Sequence, residues 1–324
     1  MKALLCTHYG TPDDLTLADI PEPTPAAGEA VVRIEAAALN FFDTLIIAGK
    51  YQTKPAFPFS PSAEFAGVVE SVAPDVTELK AGDRVVGMNG YGAAREMIAL
   101  PVAKLVKIPD GLDANRAAGV SVTYGTTLHA LKDRARLKAG ETLAVLGASG
   151  GTGLAAIELG KIMGARVIAC ASSADKIAFC RKHGADEGID YAAEDLKDAL
   201  RRLTDGRGAD VIYDPVGGAY TEQALRSIAW EGRFLVVGFA AGDIPKLPLN
   251  LVLLKSCDVL GVFWGAWTAR DPEGHRANTA QLLNWALEDK LSSHIHAVYP
   301  LADAAAALKA IASREVMGKV ILRP

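Results

Sequence analysis

The sequence lacks the features that mark several protein classes. Its four cysteines, Cys6, Cys170, Cys180 and Cys257, are scattered along 324 residues and form no C-x-x-C pair. This spacing excludes a disulfide framework and a zinc lobe built from clustered cysteines. The 34 Lys and Arg residues do not outnumber the 38 Asp and Glu residues, so the formal net charge is -4. Without a basic surplus to neutralise phosphates, nucleic acid is not expected as a partner.

Long apolar runs are also absent. The N-terminal apolar run, residues 3–6, is broken at once by Thr7 and His8, which makes it too short for the core of a signal peptide. The longest stretch without charge, residues 142–157, contains four glycines and is shorter than the roughly 20 apolar residues that span a bilayer. We therefore expect a cytoplasmic protein with no membrane association.

The pattern of apolar residues differs between two parts of the chain. Up to about residue 110, short β-like runs such as EAVVRIEAAAL and EFAGVVESVA alternate with Pro and Gly, which predicts a small, mostly β domain. From about residue 112, apolar strands alternate with helical segments, which predicts an α/β domain with a parallel sheet. Its strands are expected at TLAVLGA, ARVIACA, EGIDY, DVIYDPV, RFLVVGF and VLGVFW. We expect domains at residues 1–121 and 122–265, with 266–324 returning to the first.

A glycine-rich turn follows the first of these strands. In TLAVLGASGGTGLAAIELG an apolar strand leads into Gly150, Gly151, Thr152 and Gly153 and then into a helix. Glycines allow a tight turn and close approach of backbone N–H groups, and a helix N-terminus favours an anion. The strand–turn–helix context predicts that this segment binds the pyrophosphate of a dinucleotide rather than forming a turn without a ligand.

The end of the next strand carries no acid. A ribose 2′-hydroxyl is usually held by Asp or Glu at this point, but here the strand runs through Cys170 into Ser172 and Ser173. These hydroxyls and Lys176, one turn further on, suit a 2′-phosphate, so NADPH is the expected cofactor. The alternatives are that the serines only cap the next helix and that Lys176 is a solvated surface charge.

Three runs together resemble a known family. ASGGTGLAAIELGKIMGARVIACASSADK, NFFDTLIIAGKY and REVMGKVIL resemble the quinone oxidoreductase branch of the medium-chain dehydrogenase/reductase superfamily. The resemblance implies a GroES-like, mostly β catalytic domain built from both termini, a doubly wound Rossmann domain between them, and a homodimer. It also implies further cofactor contacts. These are Lys176, Tyr191 and Arg314 at the 2′-phosphate end, Thr127 in the loop beside the nicotinamide, and Val237, Gly238, Phe239, Phe263 and Trp264 around the nicotinamide.

The sequence departs from the zinc-dependent members of that superfamily. Where they carry a ligand Cys before Asp43, this chain has Asn40, and Ser62-Ala63-Glu64 replaces Gly-His-Glu. Neither Asn40 nor Ala63 suits a zinc site with thiolate and imidazole ligands, so no metal is expected. His294 and His296 have no further ligands beside them and fit a strand surface. Leu45 and Ile47 replace a Tyr and an Arg that are frequent in quinone reductases, which predicts a less polar pocket.

The candidate catalytic residues come from one segment. Asn40 and Tyr51 are possible hydrogen-bond donors to a substrate oxygen, whereas Asn40 and Asp43 are also able to fix the local loop. Tyr51 is expected near the nicotinamide. Three functions remain open for the chain. They are an NADPH-dependent reductase of quinones or related electrophiles, an enoyl-thioester or enone reductase that uses Tyr51 as an acid, and a non-catalytic NADPH-binding structural or regulatory protein.

Overall fold

The protein, described here by a computed structural model that covers residues 1–324, forms two compact units. The terminal unit comprises Met1–Val122 and Arg270–Pro324, and the central unit comprises Thr123–Ala269. The expected domain boundaries were 121/122 and 265/266. The second boundary lies beyond residue 265 because the helix Trp264–Arg270 carries the chain past this point without a break.

The first segment of the terminal unit is mostly β. Its strands are β1 (Lys2–Leu5), β2 (Thr16–Asp19), β3 (Glu29–Leu39), β4 (Glu64–Val72), β5 (Arg84–Met88), β6 (Met97–Pro101) and β7 (Leu105–Lys107). Its helices are α1 (Phe41–Ile47) and α2 (Ala114–Ala118). Glycine or proline follows most of these strands, as the sequence pattern predicts, whereas β3 continues through Asn40 directly into α1.

The central unit alternates strands and helices. Its strands are β8 (Thr142–Leu146), β9 (Arg166–Ala171), β10 (Glu187–Asp190), β11 (Ala209–Asp214), β12 (Ile228–Val236) and β13 (Asp258–Gly261). Its helices are α3 (Thr123–Leu128), α4 (Gly151–Ile162), α5 (Ala174–Lys182), α6 (Leu196–Leu203), α7 (Ala219–Leu225), α8 (Leu249–Lys255) and α9 (Trp264–Arg270). A π-helical turn, His129–Arg134, follows α3. The six strands that the sequence predicts are confirmed.

The last segment completes the terminal unit. It contains α10 (Pro272–Leu287), β14 (Ile295–Pro300), α11 (Ala304–Ala312) and β15 (Lys319–Arg323). The main sheet of this unit has the order β14-β15-β3-β4-β5-β7, and β6 pairs with β3. The antiparallel register of β15 on β3 aligns Val320 with Leu39, so the start of β15 lies beside the end of β3. This register positions part of the functional site.

The central sheet is entirely parallel, with the order β10-β9-β8-β11-β12-β13. Counted along the chain this is 3-2-1-4-5-6, the order of a doubly wound dinucleotide fold, so the predicted fold class is confirmed. Its first strands are buried on both faces, which explains their continuous apolar sequence. None of the helices in the protein combines the length and the apolar character needed to cross a membrane.

Two strands of the terminal unit were not predicted. β7 has only three residues, and β14 begins after His294, includes His296 and alternates between half-buried and exposed positions. Neither has a strong apolar pattern of its own. Both form because they pair with β5 and β15, an interaction between segments that are distant in the sequence.

Candidate functional site

The candidate cofactor residues of the central unit cluster at the carboxyl ends of the parallel strands. In an open sheet of this order, ligands bind at the carboxyl edge where the strand order reverses, which here lies between β8 and β11. The residues in the turns after the strands are Gly150, Gly151, Thr152 and Gly153 after β8, Ser172 and Ser173 after β9, Tyr191 after β10, Val237, Gly238 and Phe239 after β12, and Phe263 after β13.

The turn after β8 has the geometry of a phosphate-binding turn. Gly147 has φ +58°, and Gly150 caps the N-terminus of α4, whose amide N–H groups have no partner earlier in the helix. A side chain at Gly153 would collide with the backbone of Ala148, with only 2.7 Å between the added Cβ and Cα. A side chain at Gly150 would meet nothing closer than 3.5 Å, the carbonyl oxygen of Gly147. Glycine at position 153 is thus required for the close packing of the turn, whereas glycine at position 150 leaves space beside the N-terminus of α4.

The end of β9 presents hydroxyls and an ammonium group. Ser173 caps α5 and accepts a hydrogen bond from the backbone N–H of Lys176 at 3.3 Å, as the capping alternative predicts. Ser172 is exposed, and Lys176 Nζ donates to its Oγ at 3.3 Å, so the two form one polar group at the strand end. The backbone N–H of Tyr191 bonds to Ala171 O at 3.0 Å, which places Tyr191 at the same edge. The residues directly after β9, Ser172 and Ser173, carry no carboxylate to repel a 2′-phosphate, and the first acid after them is Asp175 in the first turn of α5.

Asp214, which the sequence analysis did not single out, organises the neighbouring turn. Its carboxylate accepts hydrogen bonds from the N–H groups of Val216 and Gly217 at 2.8 and 2.9 Å and from the Thr221 hydroxyl at 2.7 Å. Its carbonyl oxygen accepts the N–H of Val237 at 2.9 Å. Burial raises the pKa of Asp214. The residues after β12 are therefore held by the end of β11, and the aspartate in DVIYDPVGG was the available sequence signal.

Among the aromatic candidates, two are open to solvent and one is not. Phe239 is 38% exposed and Phe263 is 63% exposed. Trp264 is buried, and a side chain at Gly125 would collide with its indole, so this ring packs on α3. These positions favour Phe239 and Phe263 over Trp264 as side chains that are able to contact a ligand.

Thr127 is also buried. Its hydroxyl lies 2.8 Å from the Tyr213 hydroxyl and donates to Thr123 O at 2.7 Å. Burial raises the pKa of Tyr213, so this phenol stays neutral. The Thr127 side chain therefore joins α3 to β11, and this arrangement favours a structural role within the central unit. Arg314 belongs to the terminal unit, where it is exposed on the turn after α11 with φ +62°.

The terminal unit contains a buried polar cluster around Asn40, the residue at the position where zinc-dependent relatives carry a ligand Cys. Lys319 Nζ donates to Asn40 Oδ1 at 2.7 Å, to Glu64 Oε1 at 2.8 Å and to Leu39 O at 3.1 Å. Asn40 Nδ2 donates to Glu64 Oε1 at 2.9 Å, and Glu64 Oε2 accepts the N–H of Val122 at 2.7 Å. Asn40 was expected at the site from its position in the sequence, whereas Glu64 as its partner and Lys319 were not.

Asp43 lies beside this cluster and is fully buried. Its carboxylate accepts hydrogen bonds from the N–H groups of Asn40 at 2.7 Å and Ser62 at 3.0 Å. Burial raises the pKa of Asp43 to about 7, although these two N–H groups and Lys319 favour the charged form. With both oxygens bonded and no exposed surface, Asp43 fits the loop-fixing alternative better than contact with a substrate.

Tyr51 is half-buried in the terminal unit. Its ring stacks on Phe42 with 5.3 Å between centroids. Burial, with a smaller contribution from the Asp43 charge, raises the pKa of the Tyr51 phenol, so it is protonated at neutral pH and able to donate a hydrogen bond.

Nowhere in the protein do three His, Cys, Asp or Glu side chains lie close enough together to hold a metal ion, and His296 is exposed on β14.

Comparison with known proteins extends over both units. A model of the alcohol dehydrogenase GroES-like domain matches residues 26–110, and a model of the zinc-binding dehydrogenase family matches residues 151–285. The quinone oxidoreductase-like protein 2 homolog of Nematostella vectensis is 39% identical over 326 aligned positions, which cover 99% of this chain and 88% of the relative.

Solved structures agree with these matches. The quinone oxidoreductase of Escherichia coli, crystallised in complex with NADPH, is 28% identical with a TM-score of 0.93 over 100% of both chains. A 2-haloacrylate reductase is 27% identical with a TM-score of 0.87 and covers 100% of this chain and 99% of its own. The similarity therefore extends along the whole length of the chain.

Proposed function

Since the chain belongs to the quinone oxidoreductase branch of the medium-chain dehydrogenase/reductase superfamily and is thus an oxidoreductase, we propose that it transfers hydride from NADPH to a quinone or a related electrophilic carbonyl compound or alkene, without zinc. Family membership favours an enzyme over the non-catalytic alternative. The observation that carries the proposal is the acid-free end of β9, where Ser172 and Lys176 form one polar group.

The residues around this edge fit NADPH. The turn from Gly150 to Gly153 and the N-terminus of α4 would hold the pyrophosphate, and Ser172, Lys176 and Tyr191 would hold the 2′-phosphate. Phe239 and Phe263 supply exposed aromatic surface for the nicotinamide end. When bound, NADPH supplies the hydride, and the protein orients the acceptor and donates hydrogen bonds to its oxygen.

Removing the Lys176 ammonium should reduce the preference for NADPH over NADH. A charge-assisted contact with phosphate contributes roughly 1.5–3 kcal/mol, so Lys176→Ala should weaken NADPH binding about ten- to a hundredfold and leave NADH binding unchanged. Fluorescence titration of both cofactors measures this. Lys182→Ala, an exposed lysine in the last turn of the same helix, is the control and should change neither constant. Equal effects of Lys176→Ala on both cofactors would contradict the assignment.

Zinc is not part of the proposed mechanism. Asn40 and Ala63 occupy the ligand positions, and the Lys319 ammonium already lies 2.7 Å from Asn40 Oδ1, where a second cation would be repelled. We expect elemental analysis of protein purified without chelators to find substoichiometric zinc, and chelators to leave turnover unchanged. Tightly held zinc at one ion per chain, with activity lost on chelation, would overturn this expectation.

The acceptor is a small molecule whose class is tested by turnover. NADPH oxidation should be faster with a panel of quinones than with enoyl thioesters or enones at equal concentration. Reduction of a carbon–carbon double bond is the second candidate, favoured by the fold shared with a 2-haloacrylate reductase and by the half-buried phenol of Tyr51. Rapid turnover of enoyl thioesters with none of quinones would select this second candidate.

Tyr51→Phe separates the two reactions. Because the stacking on Phe42 needs only the ring, packing should survive and the variant tests the hydroxyl alone. For quinone reduction we expect a loss of one hydrogen bond, roughly 0.5–1.5 kcal/mol in kcat/KM. Enoyl reduction needs a proton delivered to carbon, so its rate should fall by about 10²–10⁴. Tyr9→Phe removes another phenol hydroxyl of the terminal unit and serves as the control. No change at all for Tyr51→Phe would remove Tyr51 from the site.

A homodimer is also part of the proposal. β13 is an edge strand, and its free side is a template for pairing with another chain. Close to it in the chain, α8 exposes Leu249, Leu253 and Leu254 at 77%, 78% and 66%. Exposed leucines of this kind are typical of a surface that is covered by a partner. Sedimentation equilibrium measures the state directly.

A further inference from the structure

The side-chain amide of Asn40 lies between a group that only donates and a group that only accepts hydrogen bonds. Lys319 Nζ is 2.7 Å from Asn40 Oδ1, and Glu64 Oε1 is 2.9 Å from Asn40 Nδ2. An ammonium group has no acceptor and a carboxylate has no donor. The opposite orientation of the amide would place its NH2 against the ammonium group and its oxygen against the carboxylate. The pair therefore permits a single orientation of the amide.

The pair itself is buried and not accessible to a substrate. The three ammonium protons of Lys319 are taken by Asn40, Glu64 and the carbonyl of Leu39, and the second carboxylate oxygen of Glu64 accepts the N–H of Val122. Lys319 and Glu64 are 3% and 0% exposed, whereas Asn40 retains 7%. The second proton on Asn40 Nδ2 has no acceptor within the protein. Any effect of the pair on an acceptor must therefore pass through Asn40.

We propose that Lys319 and Glu64 are positioning residues that hold Asn40 so that its free amide proton is donated to the oxygen of the acceptor. The proposal rests on the proposed function, because it assigns Asn40 to the site where hydride is received. The ammonium group also polarises the amide through Oδ1, which makes the Nδ2 protons better donors in this buried setting. A donor fixed in advance stabilises the negative charge that develops on an acceptor oxygen.

The strand register explains how the pair reaches Asn40. Asn40 follows the last residue of β3, and Lys319 is the first residue of β15, which pairs antiparallel with β3. The stem of Lys319 packs beside Gly119, where an added Cβ would lie 3.3 Å from Lys319 Cγ. Buried ion pairs are often no more stabilising than apolar residues of similar size, so fold stability alone does not account for the pair.

A double-mutant cycle tests the proposal. Asn40→Ala should lower kcat/KM for the acceptor by about 10²–10³, the usual effect of losing one oxyanion donor, and leave the Kd of NADPH unchanged. Lys319→Gln, which removes the charge and allows either amide orientation, should lower the same quantity about tenfold or more. If Lys319 acts through Asn40, the double variant is no slower than Asn40→Ala alone. If the loss of kcat/KM in the double variant equals the product of the losses in the two single variants, the proposal is overturned.

A second measurement needs no turnover. In protein labelled with ¹⁵N at asparagine, the two side-chain proton signals of Asn40 are identified by their loss in Asn40→Ala. We expect both to be sharp and distinct in the wild type and to shift or broaden in Lys319→Gln. Unchanged signals in Lys319→Gln would overturn the orienting role. Glu64→Gln disturbs the same amide from the other side and carries the same expectations if Lys319→Gln fails to fold.

The two readouts separate this proposal from the proposed function. If neither quinones nor enoyl thioesters are reduced but the Asn40 signals respond to Lys319→Gln, the proposed function fails and the orienting role stands. If acceptors are reduced but the effects of Asn40→Ala and Lys319→Gln on kcat/KM multiply in the double variant, the proposed function stands and the orienting role fails.

Discussion

Replacing Lys319 with Met should lower the free energy of unfolding by about 3–5 kcal/mol. The substitution keeps most of the buried volume but leaves the Glu64 carboxylate, which is 0% exposed, without its ion partner at 2.8 Å. An unpaired charge in such a place has a large desolvation penalty, and breaking a buried pair on one side typically has this effect. Urea denaturation followed by circular dichroism measures the change.

The matched control is Lys309→Met. Lys309 pairs with Asp13 at 2.5 Å, but the two side chains are 54% and 66% exposed. Solvent screens such a pair, so its loss should alter stability by no more than about 1 kcal/mol. A similar effect for both variants would mean that the buried cluster is not the source of the stability.

Gly153→Ala and Gly150→Ala should separate folding of the glycine turn from binding of NADPH. A methyl group at Gly153 collides with the backbone of Gly147 and Ala148 rather than with a flexible side chain, so stability should fall by about 1–3 kcal/mol and binding should fall with it. Gly150 has φ -75° and open space around it, so alanine should leave stability within about 0.5 kcal/mol.

NADPH binding should nevertheless weaken in Gly150→Ala. The methyl group would occupy the approach to the α4 N-terminus, and the loss of one charge-assisted phosphate contact weakens binding about ten- to a hundredfold. Thermal denaturation without cofactor and fluorescence titration with NADPH measure the two effects on the same samples. Full NADPH affinity in Gly150→Ala would place the pyrophosphate elsewhere.

Most secondary-structure elements of the central unit could be predicted from the sequence, because the patterns that indicate them lie within short segments. A strand, a glycine turn and a helix are consecutive in the chain, so their periodicity and spacing identify the turn from Gly150 to Gly153. The missing acid at the end of β9 is likewise a property of a few adjacent residues. Six strands alternating with helices predicted a parallel sheet, since parallel strands need such crossovers, whereas the doubly wound fold was implied by the family resemblance.

Burial could not be predicted in this way. Thr127 and Trp264 were candidate cofactor residues by position. In the fold, the Thr127 hydroxyl contacts Tyr213, the Trp264 ring packs on Gly125, and both side chains are buried. Asp43 is a residue type that often acts as a catalytic acid. Here its carboxylate is completely buried and accepts hydrogen bonds from two backbone N–H groups of the terminal unit. Side-chain exposure depends on which segments pack together, and a single sequence does not state this.

The sequence by itself determined the α/β class of the central unit, the glycine-rich turn after β8 and the absence of thiolate and imidazole at the two ligand positions, because each follows from residue types and their spacing along the chain. Only the tertiary structure revealed that Lys319 completes the cluster around Asn40. Lys319 is 255 residues from Glu64 and 279 from Asn40 in sequence. The run REVMGKVIL around Lys319 resembles the family but assigns no role to Lys319 itself. Lys319 meets the other two because the hydrogen-bond register of β15 on β3 places the first residue of one strand beside the last residue of the other.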